Sequence, residues 1–151
     1  MIAQPVAPLM IDQVLISFGV IAATALVHAA FVVTIRPFLW VPKPRRSIHD
    51  EVVGVTKLVL IALWLIAAHA VSAALWGIAF YRTGVSPTWE EAFYFALTTY
   101  TTLGFGDIVA PQEWRLLTGF SALNGLLMFG LSGAVLVDAA VRLRQPRNNS
   151  S

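Results

Sequence analysis

Residues Thr101 to Asp107 read T-T-L-G-F-G-D. The chemistry this string offers lies in its backbone rather than in its side chains. In an extended chain successive carbonyls point to alternate sides, so turning them toward one axis needs left-handed backbone at every second residue. Glycine reaches that conformation at little steric cost. Gly104 and Gly106 are spaced for it. A row of backbone oxygens facing a shared axis can replace the water shell of a dehydrated cation.

Such a loop must be held by something. Thr88-Trp89-Glu90-Glu91 reads as a capping box, with Thr88 at the N-cap and Glu91 at the third helical position, and Ser86-Pro87 just before it is a helix-entry signal. The helix this predicts, from Trp89 to about Tyr100, would span roughly 18 Å. That is too short to cross a bilayer whose apolar core is roughly 30 Å thick, so the segment is expected to enter and turn back. Its non-helical continuation then lies at membrane depth, where unpaired backbone is tolerated only if buried in protein or lining an aqueous path. The negative end of the helix dipole points along that path and favours a cation.

Composition places the loop in a membrane. The chain has 151 residues, 58% hydrophobic and 12% charged, about half the charge an ordinary soluble domain carries. Three stretches are long and apolar enough to span: Val14 to Ile35, Leu58 to Tyr81 and Leu116 to Val141. Residues 1 to 11, with Pro5 and Pro8, read as a short unstructured lead-in. The first helix is expected to end near Arg36, because Pro37 disfavours helical geometry in the residue before it. Pro42-Lys43-Pro44 marks a stiff exposed linker. Cysteine is absent, so disulfides and thiolate metal sites are excluded. The weak cleavage-site likeness of Val27-His28-Ala29 follows no basic segment and an over-long apolar run, so the first helix is read as retained.

Of ten basic residues, eight fall on one side of the expected spans. Arg36, Lys43, Arg45, Arg46 and Lys57 lie between the first and second, and Arg142, Arg144 and Arg147 follow the third; Arg82 and Arg115 flank the loop. This asymmetry predicts a cytoplasmic 36–57 segment and C-terminus, with the N-terminus and the loop outside. The formal sequons at Asn148 and Asn149 are then chance matches. Basic clusters of this kind are topology signals rather than nucleic-acid sites.

The succession of helix, short re-entrant helix, T-x-G-x-G-D and helix, over about residues 52 to 145, resembles the pore module of tetrameric potassium channels. Thr102, Gly104, Gly106 and Asp107 match the T-V-G-Y-G-D signature of that family as they stand. Leu103 replaces its Val and Phe105 its Tyr. The resemblance implies that K+ is the permeant ion and that its ligands are the carbonyls of Thr102, Leu103, Gly104 and Phe105 plus the Thr102 hydroxyl, within a selectivity filter running from Thr102 to Gly106 and flanked by Thr101 and Asp107. A filter Tyr can brace the loop through its phenol; Phe105 cannot, so rigidity is expected to rest more on packing. Some members pair the filter Asp with a Glu four residues before the filter Thr, where this chain has Thr98. Gly125 lies where the family places a hinge in its inner helix; close helix packing is the competing reading there, and the favoured one for Gly130 and Gly133. The extra first helix is similar to that of small bacterial three-helix channels.

The reading is therefore an all-α membrane protein of three transmembrane helices with a re-entrant pore helix and filter loop, assembled as a fourfold homotetramer in the cell membrane, a bacterial inner membrane by resemblance. Residues 1–51 form the extra helix and basic loop, 52–145 the pore domain and 146–151 a tail. Membrane lipid and further copies of the chain are the expected partners, with no nucleic acid, small-molecule substrate or cofactor. A non-selective monovalent cation channel is the nearer alternative and a subunit of a potassium transport system the more distant one, although such transporters link four repeats in one chain. An enzyme is disfavoured for want of a nucleophile, metal-ligand cluster or phosphate loop. His28 and His69 are intramembrane ionisable groups, read either as a pH sensor or as neutral imidazoles bonded to neighbouring helices. Asn124 either faces a central cavity or bonds another helix. Asp138 either attracts cations at the inner mouth or pairs with Arg142 one turn on. Glu90, Glu91, Asp107 and Glu113 outnumber the basic residues at the outer face and would concentrate cations there.

Overall fold

The computed structural model describes residues 10–39 and 48–144. These form α1 (Met10–Leu39), α2 (Ile48–Arg82), α3 (Trp89–Tyr100) and α4 (Arg115–Arg144), with a single 3-10 turn, Gln112–Trp114, leading into α4. There is no strand among the described residues. Stretches long and apolar enough to cross a bilayer occupy Met10–Ile35, Glu51–Arg82 and Gln112–Arg142. All three expected spans thus lie inside helices. The Pro42–Pro44 linker, Lys43, Arg45, Arg46, Arg147, both sequon asparagines, and Pro5 and Pro8 lie outside the described residues.

Two boundaries differ from expectation. Pro37 lies inside α1, which continues to Leu39. A proline forfeits one amide bond and crowds the carbonyl four residues back, but in a terminal turn few bonds remain to be lost. The helix also begins at Met10, within the stretch expected to be unstructured. At 35 residues α2 is about 52 Å long, so it overshoots the apolar core of a bilayer.

The short helix α3 is wedged between α2 and α4. Trp76 and Phe80 of α2, Phe95 and Tyr100 of α3, and Leu117 and Met128 of α4 form one buried cluster. Phe80 and Phe95 meet with ring centroids 5.0 Å apart. A second cluster of Ile35, Ile61, Leu65 and Ala139 joins α1, α2 and α4 toward the opposite end. Between helices in lipid the hydrophobic effect supplies little drive, so close fit and buried polar contacts carry the association. Asn124 is such a contact: its Oδ1 accepts from Thr24 Oγ1 of α1 and from Trp76 Nε1 of α2, both at 2.9 Å. This decides its role in favour of the helix-to-helix bond, since Asn124 is 2% exposed.

Most of the remaining apolar surface faces outward. On α4 the row Leu123, Leu126, Leu127 and Leu131 is exposed, a stripe at helical spacing left uncovered among the described residues.

Candidate functional site

The loop is built from the end of α3. Thr88 sits in extended geometry and its side chain accepts the Glu91 amide at 3.2 Å, so the capping residue starts the helix where the sequence predicts. At the other end three amide donors fold back onto the helix. Thr101 N reaches Leu97 O at 3.1 Å, Thr102 N reaches Thr99 O at 2.9 Å and Gly104 N reaches Thr98 O at 3.0 Å. These bonds turn amides of the loop toward α3. Among the described residues none of the carbonyls from Thr102 to Gly106 accepts a hydrogen bond from the backbone.

Every second residue is left-handed. Thr102 has φ +60°, Gly104 +51° and Gly106 +79°. The expectation of this geometry at the two glycines holds, and the alternation starts one step earlier, at a threonine. A β-branched residue in this region is an outlier that only the surrounding structure can enforce. Here the amide bonds on either side, from Thr101 and Gly104 to α3, supply that constraint. Alternation of this kind brings consecutive carbonyls to one side of the strand, where they can serve as hard oxygen ligands.

Leu103 and Phe105 point away from their own chain, 57% and 65% exposed. The expectation that packing compensates for the missing phenol is therefore not met within one chain. A polar tie takes its place: Tyr94, on the first half of α3, donates its hydroxyl to Asp107 Oδ2 at 2.7 Å. That bond is the main reason the Asp107 carboxyl is held below its ordinary value, aided by backbone amides. Thr98, in the position of the family's glutamate, does not reach Asp107; its hydroxyl bonds Phe95 O at 3.0 Å within α3.

Behind the loop, Gly125 of α4 lies directly against the backbone of Tyr100, and a side chain there would collide with the Tyr100 carbonyl. Close packing accounts for this glycine. Gly130 and Gly133, for which packing was expected, have nothing within 4 Å of where a Cβ would stand among the described residues, so no helix of the same chain packs against them there. Asp138 pairs with Arg142 at 2.8 Å across one exposed turn, the ordinary surface bridge. Glu90, Glu91, Asp107 and Glu113 are all exposed, as are Arg82 and Arg115. His28 and His69 are buried, and both hydrogen-bond to Ser132 of α4.

Sequence reasoning missed Tyr94, Ser132 and the left-handed Thr102. Tyr94 stands one turn before Thr98 on the same face of α3, so helical spacing counted back from Thr98, the position the family resemblance singled out, could have found it. Ser132 carries no such signal.

Residues 57–142, more than half of the chain, match the ion channel family, a stretch that takes in α3, the loop, most of α2 and nearly all of α4. No curated protein and no solved structure gives a match.

Proposed function

The chain belongs to the ion channel family, and from that membership we propose that it conducts K+ selectively and passively through a pore lined by four copies of the loop Thr102–Gly106. The observation that carries this reading is the left-handed backbone at Thr102, Gly104 and Gly106, with loop amides turned back onto α3. One chain presents one row of oxygens, and a cage for a dehydrated cation needs several around an axis. A closed rotational arrangement of identical chains is the simplest way to supply them. The uncovered leucine stripe on α4 and the outward Leu103 and Phe105 support an assembly in which neighbouring copies cover them.

In this assignment the carbonyls of Thr102, Leu103, Gly104 and Phe105 and the Thr102 hydroxyl coordinate the ion, and Gly106 completes the loop. Thr101 and Asp107 anchor its two ends: Thr101 through its bonds to Leu97 O, Asp107 through Tyr94. Selectivity for K+ over Na+ follows from the number and field of the carbonyl dipoles in a loop tied at both ends. The pore unit is residues 52–145, preceded by the extra helix and basic segment of 1–51 and followed by the tail 146–151. The charge asymmetry supports a cell-membrane orientation with the loop and N-terminus outside and the C-terminus in the cytoplasm. α4 packs its Gly125 against the pore helix, so in this reading that glycine positions the inner helix rather than bending it.

Reversal potentials of the protein in planar bilayers under a potassium/sodium gradient test the reading. A potential near the potassium equilibrium value is the expected result. A potential near zero would establish the non-selective channel instead.

A further inference from the structure

Polar contacts tie α1 to α4 at intervals along their length. Leu117 N reaches Gln13 Oε1 at 3.4 Å, Thr24 Oγ1 reaches Asn124 Oδ1 at 2.9 Å, and His28 Nε2 lies 2.9 Å from Ser132 Oγ. Alongside the last of these a groove of about 750 Å³ opens between the two helices and runs on toward the C-terminal end of α4. The helices do not part there, since Ile35 and Ala139 still pack in one cluster.

The groove is apolar and its walls are low. Ala25, Ala29 and Val32 line it from α1, and Leu131, Ala134 and Val135 from α4. Steps of three and four residues put each set on one helical face. The three alanines are exposed, so the groove lies open to what surrounds the chain, while His28 and Met128 at its floor are buried. Leu123, Leu126 and Leu127, the part of the leucine stripe nearer the loop, line a separate surface.

At the far end the lining changes to Asp138 and Arg142. Arg142 donates Nε to Asp138 Oδ2 at 2.8 Å, and both side chains are exposed. The outer N–H groups of the guanidinium remain for an anion, held in place by the carboxylate on Nε. The α1 row 25, 29, 32 continues at helical spacing to position 36, an arginine. Helix α4 rises about 21 Å from Met128 to Arg142. The apolar half of a bilayer is about 15 Å thick, so the groove covers one leaflet from its charged interface to the midplane.

Charge distinguishes the occupants. The side of the membrane that carries Arg142 holds eight basic residues against three acids, Asp50, Glu51 and Asp138. A second copy in a rotational assembly runs parallel and lays the same basic end beside this one. An anionic headgroup brings counter-charge instead. An apolar groove left unfilled would forfeit dispersion contacts along both walls.

We propose that the α1–α4 groove holds one acyl chain of an anionic phospholipid of the cytoplasmic leaflet, with the phosphate on the Arg142 guanidinium. The alanines make room for the chain. The planar fork of the arginine matches two phosphate oxygens and selects the headgroup. The leaflet follows from the charge asymmetry, and the site does not depend on the pore reading.

Native mass spectrometry of the full chain, titrated with dioleoyl phosphatidylglycerol and with dioleoyl phosphatidylcholine, tests the proposal. One phosphatidylglycerol per chain is expected, bound about fivefold tighter than phosphatidylcholine, the weight of one basic contact at a membrane surface. Arg142→Gln should lose that preference and keep the weaker binding. Ala29→Trp, which fills the groove, should remove saturable binding of both lipids. A phosphatidylglycerol with a diazirine on its acyl chain should label the α1 and α4 peptides that hold Ala25, Ala29, Leu131 and Ala134, and this readout on the parent decides the question even if Ala29→Trp does not assemble. Equal affinity for the two lipids, a preference retained in Arg142→Gln, saturable binding retained in an assembled Ala29→Trp, or label spread evenly over the outward faces of the three long helices would each overturn the proposal. An unlabelled groove in the parent, together with loss of assembly in Ala29→Trp, would assign the groove to a second copy and overturn it as well.

Discussion

Replacing Gly104 by alanine should abolish selective potassium flux and leave the assembly standing. Gly104 has φ +51°, and a Cβ placed there meets nothing within 4 Å among the described residues. Steric collision with the subunit's own fold therefore cannot be the cause of any defect. What remains is the backbone: a Cβ in the left-handed region costs about 1 to 2 kcal/mol per residue, hence about 4 to 8 kcal/mol if four copies must adopt it together. At about 1.4 kcal/mol per decade, that lowers the population of an intact four-stranded loop by roughly three to six decades. The helices bury their cores elsewhere, so assembly should survive. Gly130→Ala is the matched control, since it too has open space around the new Cβ, but ordinary helical φ. It should conduct like the parent. Liposome flux with potassium and sodium gradients reads the function, and native mass spectrometry reads the assembly. Normal selective current through the Gly104→Ala protein would show that the left-handed alternation is not what makes the ion path, and the loop assignment would fall with it.

Gly125→Ala should disrupt the fold rather than gating, because its Cβ would meet the Tyr100 carbonyl; loss of tetramer in detergent is the readout, and a well-assembled variant with altered open probability would favour a hinge after all. Asn124→Ala should lower thermal stability by about 1 kcal/mol per subunit, chiefly by stranding the Trp76 indole N–H, since Thr24 keeps a second acceptor in Ile21 O at 2.8 Å; an unchanged melting temperature would mean the junction is not holding the helices. Tyr94→Phe should raise the pH at which Asp107 titrates, as followed by carboxyl NMR, because the Tyr94 bond leads the causes of its lowered value. The sign follows from the ionised acceptor: the tie is intact at neutral pH and weakens as pH falls through that lowered value. An unmoved Asp107 would leave the tie without energetic weight. A tag ahead of Met1 should react with impermeant reagents on intact cells while a tag after Ser151 should not, as the basic count requires; both ends on one side would reassign α1 to the membrane surface.

The elements themselves were legible in the chain. Apolar runs of sufficient length fix spanning helices because lipid offers the backbone no other partner, and a Thr-x-x-Glu start fixes where α3 begins. The glycine spacing announced the left-handed steps at 104 and 106 because that preference is local to each residue. What depends on the meeting of distant segments was not legible. Thr102 is driven left-handed by amide bonds around it that close only once the loop folds back on α3. Asp107 finds Tyr94, thirteen residues away, because α3 and the returning loop run side by side. Gly125 is occupied by the backbone of α3 while Gly130 and Gly133 are not, although all three share one helix. His28 and His69 announced themselves as costly intramembrane groups, yet only packing placed both beside Ser132, a residue whose type and surroundings in sequence distinguish it in no way. Local rules set conformation residue by residue; contact between residues a hundred apart is set by how three helices cross, and no spacing in the sequence records that.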